Sequence, residues 1–252
     1  MARPTVLITI SFSHFCEKAR WALARARIPY DERARLPLYH MIETVPRGGR
    51  ATPMLDLAGQ RLTDSTDILK ALDAHLLPAD RLYPDDPTAR REVEALEDRF
   101  DSALGPATRY VAYSHILPAA RTLLPWLLEQ GGPLERATLP LILPLWTAAM
   151  MKGLKIHPSR YDRQVDKIQT VFDEVGARLA DGRRYLVADR FTAADLTFAA
   201  LSAPLLRPPV YRDRLMAEAL VPEAFQRLVN SWSDHPAMEF AHRIYEVHRP
   251  QT

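Results

Sequence analysis

The segment Ser11-Phe12-Ser13-His14-Phe15-Cys16 sets two nucleophilic side chains, Ser13 and Cys16, three residues apart where an apolar run gives way to helical spacing. The first turn of a helix presents free N–H groups and the positive end of its macrodipole, so it stabilises an alkoxide or a thiolate. A cysteine so placed has the setting for a lowered pKa and for reactivity. Each residue also has an ordinary reading, Ser13 as the helix N-cap and Cys16 as a small core residue. A second candidate is Thr52-Pro53. A proline opening a strand suits a cis peptide, which leaves the preceding N–H and C=O free to pair with an extended peptide; a plain loop-ending proline is the alternative. The third is Asp64-Ser65. A serine with the N–H groups of a helix start binds a carboxylate, and the aspartate takes an ammonium, so the pair suits an amino-acid head group as well as it suits a polar cap.

Strands and helices must position these groups. Residues 5–11 are β-branched and apolar and read as a buried strand. From Phe15 to Arg27, Phe15, Ala19, Ala22, Leu23 and Ala26 share one helical face, with Glu17, Lys18, Arg20 and Arg25 largely elsewhere. Ile28-Pro29-Tyr30 ends that helix and opens a second strand to about Arg35. A basic, proline-punctuated loop spans 36–52, and Ala58-Gly59 separates two short runs as a hairpin would. A helix follows Asp64-Ser65, with Ile68, Leu69, Leu72 and Leu76 as its apolar stripe. Three prolines in 77–87 mark a linker. Beyond it the pattern is helical at about 88–116, 159–180, 192–203 and 222–230, and after Asp234-His235-Pro236. The stretch 117–158 is cut by Pro118, Pro125, Pro133, Pro140 and Pro144 and is expected to form short or kinked segments. The organisation is an α/β domain (1–76), a linker (77–87) and an all-helical domain (88–252).

Composition narrows the field. The 252 residues are 47% hydrophobic and 25% charged, the balance of a folded globular chain. A net charge of +2 gives no electrostatic footprint for nucleic acid. One cysteine excludes an internal disulfide and a multi-cysteine zinc site, and it fits a reducing, cytoplasmic setting. The eight histidines form no metal-ligand pattern, and no Gly-rich phosphate loop is present. The charge-free run 137–151 is shorter than the ~20 residues needed to cross a bilayer and is cut by Pro140 and Pro144, so no membrane role is expected. Leu139–Trp146 reads instead as core or pocket wall.

Taken together and in this order, the motifs resemble those of the glutathione S-transferase family. Ser13-His14-Phe15-Cys16 with Lys18-Ala19-Arg20 and Ala22-Leu23 looks like that family's active-site turn and first helix. Thr52-Pro53 is similar to its cis-proline motif, Asp64-Ser65 to its acid–serine motif, and Asp189-Arg190-Phe191-Thr192-Ala193-Ala194-Asp195 to its capping-box signature. The last also reads locally: Thr192 caps a helix and Asp195 reaches back, which concerns folding alone.

The resemblance implies a thioredoxin-like domain that binds glutathione, a helical domain that forms a pocket for an apolar electrophile, a homodimer, and no metal. Ser13 stands at the catalytic position of the serine and cysteine types. The resemblance assigns Asp64 and Ser65 to the γ-glutamyl end, the Thr52 backbone before Pro53 to the cysteinyl portion, and Arg50 to the glycyl carboxylate, with Arg47 as a helper. No tyrosine ends the first strand, and Ser11 is a competing hydroxyl. Cys16 takes the second position of a thioredoxin-type pair whose first cysteine is replaced by Ser13, so a dithiol mechanism is impossible within the chain. The expected activity is conjugation of the glutathione thiolate, with Ser13 as the catalytic residue. The alternatives are a glutathione-dependent reductase using Cys16 and a non-catalytic binding or scaffold protein.

Overall fold

The computed structural model describes residues 4–250. Strand β1 (Val6–Ile10) and strand β2 (Asp31–Arg35) pair in parallel, Val6 opposite Asp31 and Ile10 opposite Arg35. Parallel neighbours need a crossover, and helix α1 (His14–Arg25) supplies it. A short helix, α2 (Met41–Thr44), and a 3₁₀ turn interrupt the expected 36–52 loop. Strand β3 (Met54–Leu57) then runs antiparallel to β1, and β4 (Gln60–Leu62) antiparallel to β3. Their two-residue turn has positive φ at both Ala58 and Gly59, which matches the twist of the flanking strands. Helix α3 (Ser65–Asp73) completes a thioredoxin-like unit whose sheet order is β2-β1-β3-β4.

The rest is helical. Helix α4 (Pro87–Arg99) passes through a π turn at Phe100–Leu104 into α5 (Gly105–Ile116). The wider turn comes just before Pro106, which has no N–H for the regular ladder. Gly105 allows the Phe15 ring to come close here, because a Cβ would lie 2.5 Å from the ring tip and would displace it. Helices α6 (Leu124–Gln130), α7 (Pro133–Gly153) and α8 (Tyr161–Leu179) lead to the fully buried α9 (Ala193–Leu206). Helices α10 (Glu223–Asn230) and α11 (Pro236–His248) close the bundle. At the start of α9 the Asp195 carboxylate accepts from the Thr192 N–H and the Leu186 N–H, both at 2.8 Å.

One expectation is corrected. The proline-rich stretch does not break up throughout: α7 runs unbroken through Pro140 and Pro144. Both prolines face outward, where water can serve the carbonyls they leave unpaired. The inward face, Leu139, Leu143, Trp146 and Met150, is held against the β2–α2 connection. Trp146 Nε1 donates to the Pro37 carbonyl at 2.9 Å, and Tyr39 and Thr138 share a hydrogen bond of 2.7 Å. Leu141 and Leu145, on the outer face, are exposed. By length and composition alone, the stretch beginning with α7 is apolar enough to cross a membrane, although its inward face is core.

Helix α1 shows a feature that the sequence pattern leaves open. Its charged side chains do not face water: Glu17, Lys18 and Arg20 are all buried. The sheet covers one side of α1 and the helical bundle the other. Lys18 Nζ lies 2.8 Å from both Glu97 of α4 and Asp101 of the π turn, and donates to Thr66 of α3. Arg20 pairs with Glu32 of β2, which Arg214 also reaches, and Glu17 accepts from Arg249 at 2.7 Å. The sequence pattern separates these charges from the apolar stripe but does not show their partners, which are second-domain carboxylates for Lys18, Glu32 of β2 for Arg20 and Arg249 for Glu17.

Removing one member of a buried ion cluster strands the others. Lys18→Met is expected to lower stability by about 3–5 kcal/mol. Urea unfolding checks this; a change below about 1 kcal/mol would contradict it.

Candidate active site

A cavity of about 310 Å³ lies between the two domains, at the N-terminus of α1. From the α/β side come Ile10, Phe12, Ser13, His14 and Phe15, the β2–α2 connection through Pro37, Leu38 and His40, and Arg50 and Thr52. Arg109 and Tyr113 of α5 form the opposite wall, and the last turns of α7 the roof. Thus the proline-rich insertion builds pocket wall.

Ser13 caps α1. It lines the cavity, and its Oγ accepts from the Cys16 N–H at 3.4 Å, a long bond. Ser11, the competing hydroxyl, is buried and does not line the cavity. Cys16 is completely buried and also absent from the lining. Burial pushes its thiol pKa up, against the smaller pull of Arg20 and the Ser13 hydrogen bond. The expectation that Cys16 is a reactive group is therefore corrected. It sits in the first turn, but its side chain turns into the core, where a thiolate is disfavoured.

The Thr52–Pro53 peptide is cis. Among the described residues, the Thr52 backbone N–H and C=O enter no turn or loop hydrogen bond, so the edge they offer is free. Arg50 lines the cavity and forms no salt bridge among the described residues. Arg47 is engaged, donating to the Glu43 carbonyl and lying 3.1 Å from the Glu43 carboxylate, so it is not available as a helper. Asp64 is the exposed N-cap of α3, accepting from Thr66 N–H at 2.8 Å, and Ser65 beside it is nearly buried. Ser13, Arg50 and Thr52 thus meet around one cavity, with Pro53 buried behind Thr52. Asp64 and Ser65 lie outside its lining.

Several lining residues escape the sequence reading. His14 Nε2–H donates to the Gly105 carbonyl at 2.9 Å. Burial, reinforced by the nearby Arg109 charge, lowers its pKa to about 3, so it is neutral at physiological pH. Burial raises the Tyr113 pKa, which keeps its phenol protonated. Arg109 and Tyr113, four apart on α5, share a helix face, and that spacing is the one signal that could have found them.

Residues 7–76 match the family model for the glutathione S-transferase N-terminal domain, and residues 158–215 the model for the C-terminal domain. The chain belongs to the glutathione S-transferase family. Helices α6 and α7 fall between the two matched segments. Among solved structures, the fold is similar to that of the β-etherase LigF of Sphingobium sp. strain SYK-6, at 17% identity and a TM-score of 0.60, covering 96% of this chain and 99% of that one. It is also similar to a glutathione S-transferase of Methylobacterium radiotolerans JCM 2831 in complex with glutathione sulfonate, at 23% identity and a TM-score of 0.54, covering 99% and 97%. A third is the glutathione S-transferase of Methylobacillus flagellatus KT with glutathione bound, at 18% identity and a TM-score of 0.53, covering 94% and 98%. No curated protein matches the sequence.

Within this member of the glutathione S-transferase family the burial of Cys16 has a direct readout. A thiol-specific reagent such as 5,5′-dithiobis(2-nitrobenzoate) is expected to label Cys16 only after denaturation. Fast, stoichiometric labelling of the native protein would contradict the sealed position.

Proposed function

We propose that the protein is a glutathione transferase that joins the glutathione sulfur to a small, largely apolar electrophile. The observation that carries this reading is the position of Ser13. Its hydroxyl opens into the cavity at the positive end of α1, while Cys16 is sealed beneath it. A free thiol with a pKa of about 8.5 is only a few per cent ionised at pH 7, and each unit of depression is worth about 1.4 kcal/mol. Ser13 would donate a hydrogen bond to the glutathione sulfur and favour its thiolate, aided by the dipole of the helix start. The free Thr52 backbone would pair with the cysteinyl portion, and the unpaired Arg50 would take the glycyl carboxylate. Asp64 and Ser65, at the start of α3, would hold the γ-glutamyl group outside the cavity.

The apolar walls would then hold the electrophile against the sulfur, so that bond formation becomes an intramolecular event. The sulfur attacks the electrophilic carbon, the leaving group departs with its electron pair, and the thiol proton passes to solvent. Burial of Cys16 counts against the reductase alternative. A homodimer and a cytoplasmic setting belong to the same proposal, on the family resemblance and the lone cysteine.

The test is conjugation of 1-chloro-2,4-dinitrobenzene. Ser13→Ala is expected to lower kcat by about 10²–10³, the usual effect of losing one donor to a reacting anion. Cys16→Ala should leave the rate within about twofold. Glutathione-dependent disulfide reduction that is lost in Cys16→Ser would favour the reductase, and wild-type protein that binds no glutathione would favour the scaffold.

A further inference from the structure

The cavity has a second lobe. A smaller space of about 40 Å³ lies behind the first and shares Phe12, His14, Arg109 and Tyr113 with it. Its remaining wall is mostly apolar and aromatic, including Ile116, Trp126, Met216 and Phe225. Trp126 is buried there, and its indole N–H has no partner. No aspartate or glutamate lines either lobe.

Arg109 lines both lobes and therefore stands at their junction. Among the described residues its guanidinium forms no salt bridge and no hydrogen bond; its one specific neighbour is the Phe15 ring, with the guanidinium carbon 5.8 Å from the ring centre. Several other arginines are paired. Arg20, Arg99, Arg178 and Arg214 each meet a carboxylate, and Arg207, the other cation of the rear lobe, donates to the Met216 carbonyl. His14, the adjacent titratable group, is neutral and committed to Gly105. Arg109, itself exposed to solvent along part of its side chain, thus lays an uncompensated positive charge, with its full fork of donors, beside a cavity walled largely by apolar groups. Such a charge favours an anion, because no carboxylate of either lobe competes for the guanidinium fork.

We propose that the second substrate carries an anionic group, a carboxylate or a group of like geometry, on a small aromatic or otherwise apolar body, and that Arg109 binds this anion. The inference rests on the transferase reading and names its substrate class. Glutathione does not account for Arg109: its glycyl carboxylate is assigned to Arg50, and its γ-glutamyl end to α3, outside the cavity. A cavity of 310 Å³ that must also admit the cysteinyl sulfur leaves room for about one ring. That ring would pack among Phe12, Phe15 and Tyr113 with its anion turned to the guanidinium. The unpaired Trp126 N–H marks the rear lobe as able to meet a further acceptor.

The experiment compares binding of 4-nitrobenzoate with its neutral isostere 4-nitrobenzamide by calorimetry, with and without saturating S-methylglutathione. That thioether fills the glutathione site, Arg50 included, without reacting. Wild-type protein is expected to bind the benzoate about tenfold or more tightly than the amide. Arg109→Gln should bring the two within about twofold while keeping S-methylglutathione affinity and the thermal midpoint. Arg109→Lys should keep part of the preference, and Arg207→Gln all of it. Equal binding of the two probes by the wild type would overturn the inference, as would a preference that survives in Arg109→Gln. If S-methylglutathione fails to bind the wild type, the transferase reading falls, while the probe comparison without it still decides whether Arg109 selects an anion.

Discussion

The active-site geometry depends on one constraint: α1 is buried on both sides. Its apolar stripe packs on the sheet, and its charged side chains meet groups from across the molecule. Lys18 draws in Glu97 and Asp101, and Glu97 in turn accepts from Thr66 and Tyr83, so one cluster joins α1, α3, α4 and the π turn. A buried ion pair contributes little net stability against an apolar substitute, yet removing one partner is severe. The cluster therefore acts chiefly as a registration device. It sets the N-terminus of α1, with Ser13 and His14, opposite Arg109 and Tyr113 of α5. Gly105 allows the close approach, and the His14–Gly105 hydrogen bond joins the two sides at the cavity.

The electrostatics of the cavity follow from that docking. Every charged or dipolar feature facing it favours negative charge: the start of α1, the unpaired Arg50, and Arg109. No carboxylate lines it. Both histidines in its wall are held neutral by burial, and each spends Nε2 on a backbone carbonyl, His14 on Gly105 and His40 on Arg50. They shape the wall without adding charge that changes near neutral pH. The result is a site that favours anions, with the Ser13 hydroxyl at its edge where α1 begins.

Local features were legible in the sequence. The β1–α1–β2 order, the Ala58-Gly59 hairpin, the caps at Ser13, Asp64 and Thr192, and the proline at position 53 each rest on a few neighbouring residues, where propensity and turn chemistry act directly. Features decided by distant contacts were not. Cys16 occupies a first-turn position that permits reactivity, and only the packing of α1 shows that its thiol is sealed. Pro140 and Pro144 look like breaks, and only the outward orientation of both explains the unbroken α7. Arg109 is one charge among many on a helix until the cavity shows that no acid answers it.

The central claim is that Ser13, at the positive end of α1, ionises the glutathione thiol, and the most direct measurement is the ultraviolet difference spectrum of bound glutathione across pH. The account predicts a saturable thiolate band whose midpoint lies well below the ordinary thiol value of about 8.5, moves upward in Ser13→Ala, and is unchanged in Cys16→Ala. A bound thiol that titrates like the free one, or a band indifferent to Ser13→Ala, would contradict it.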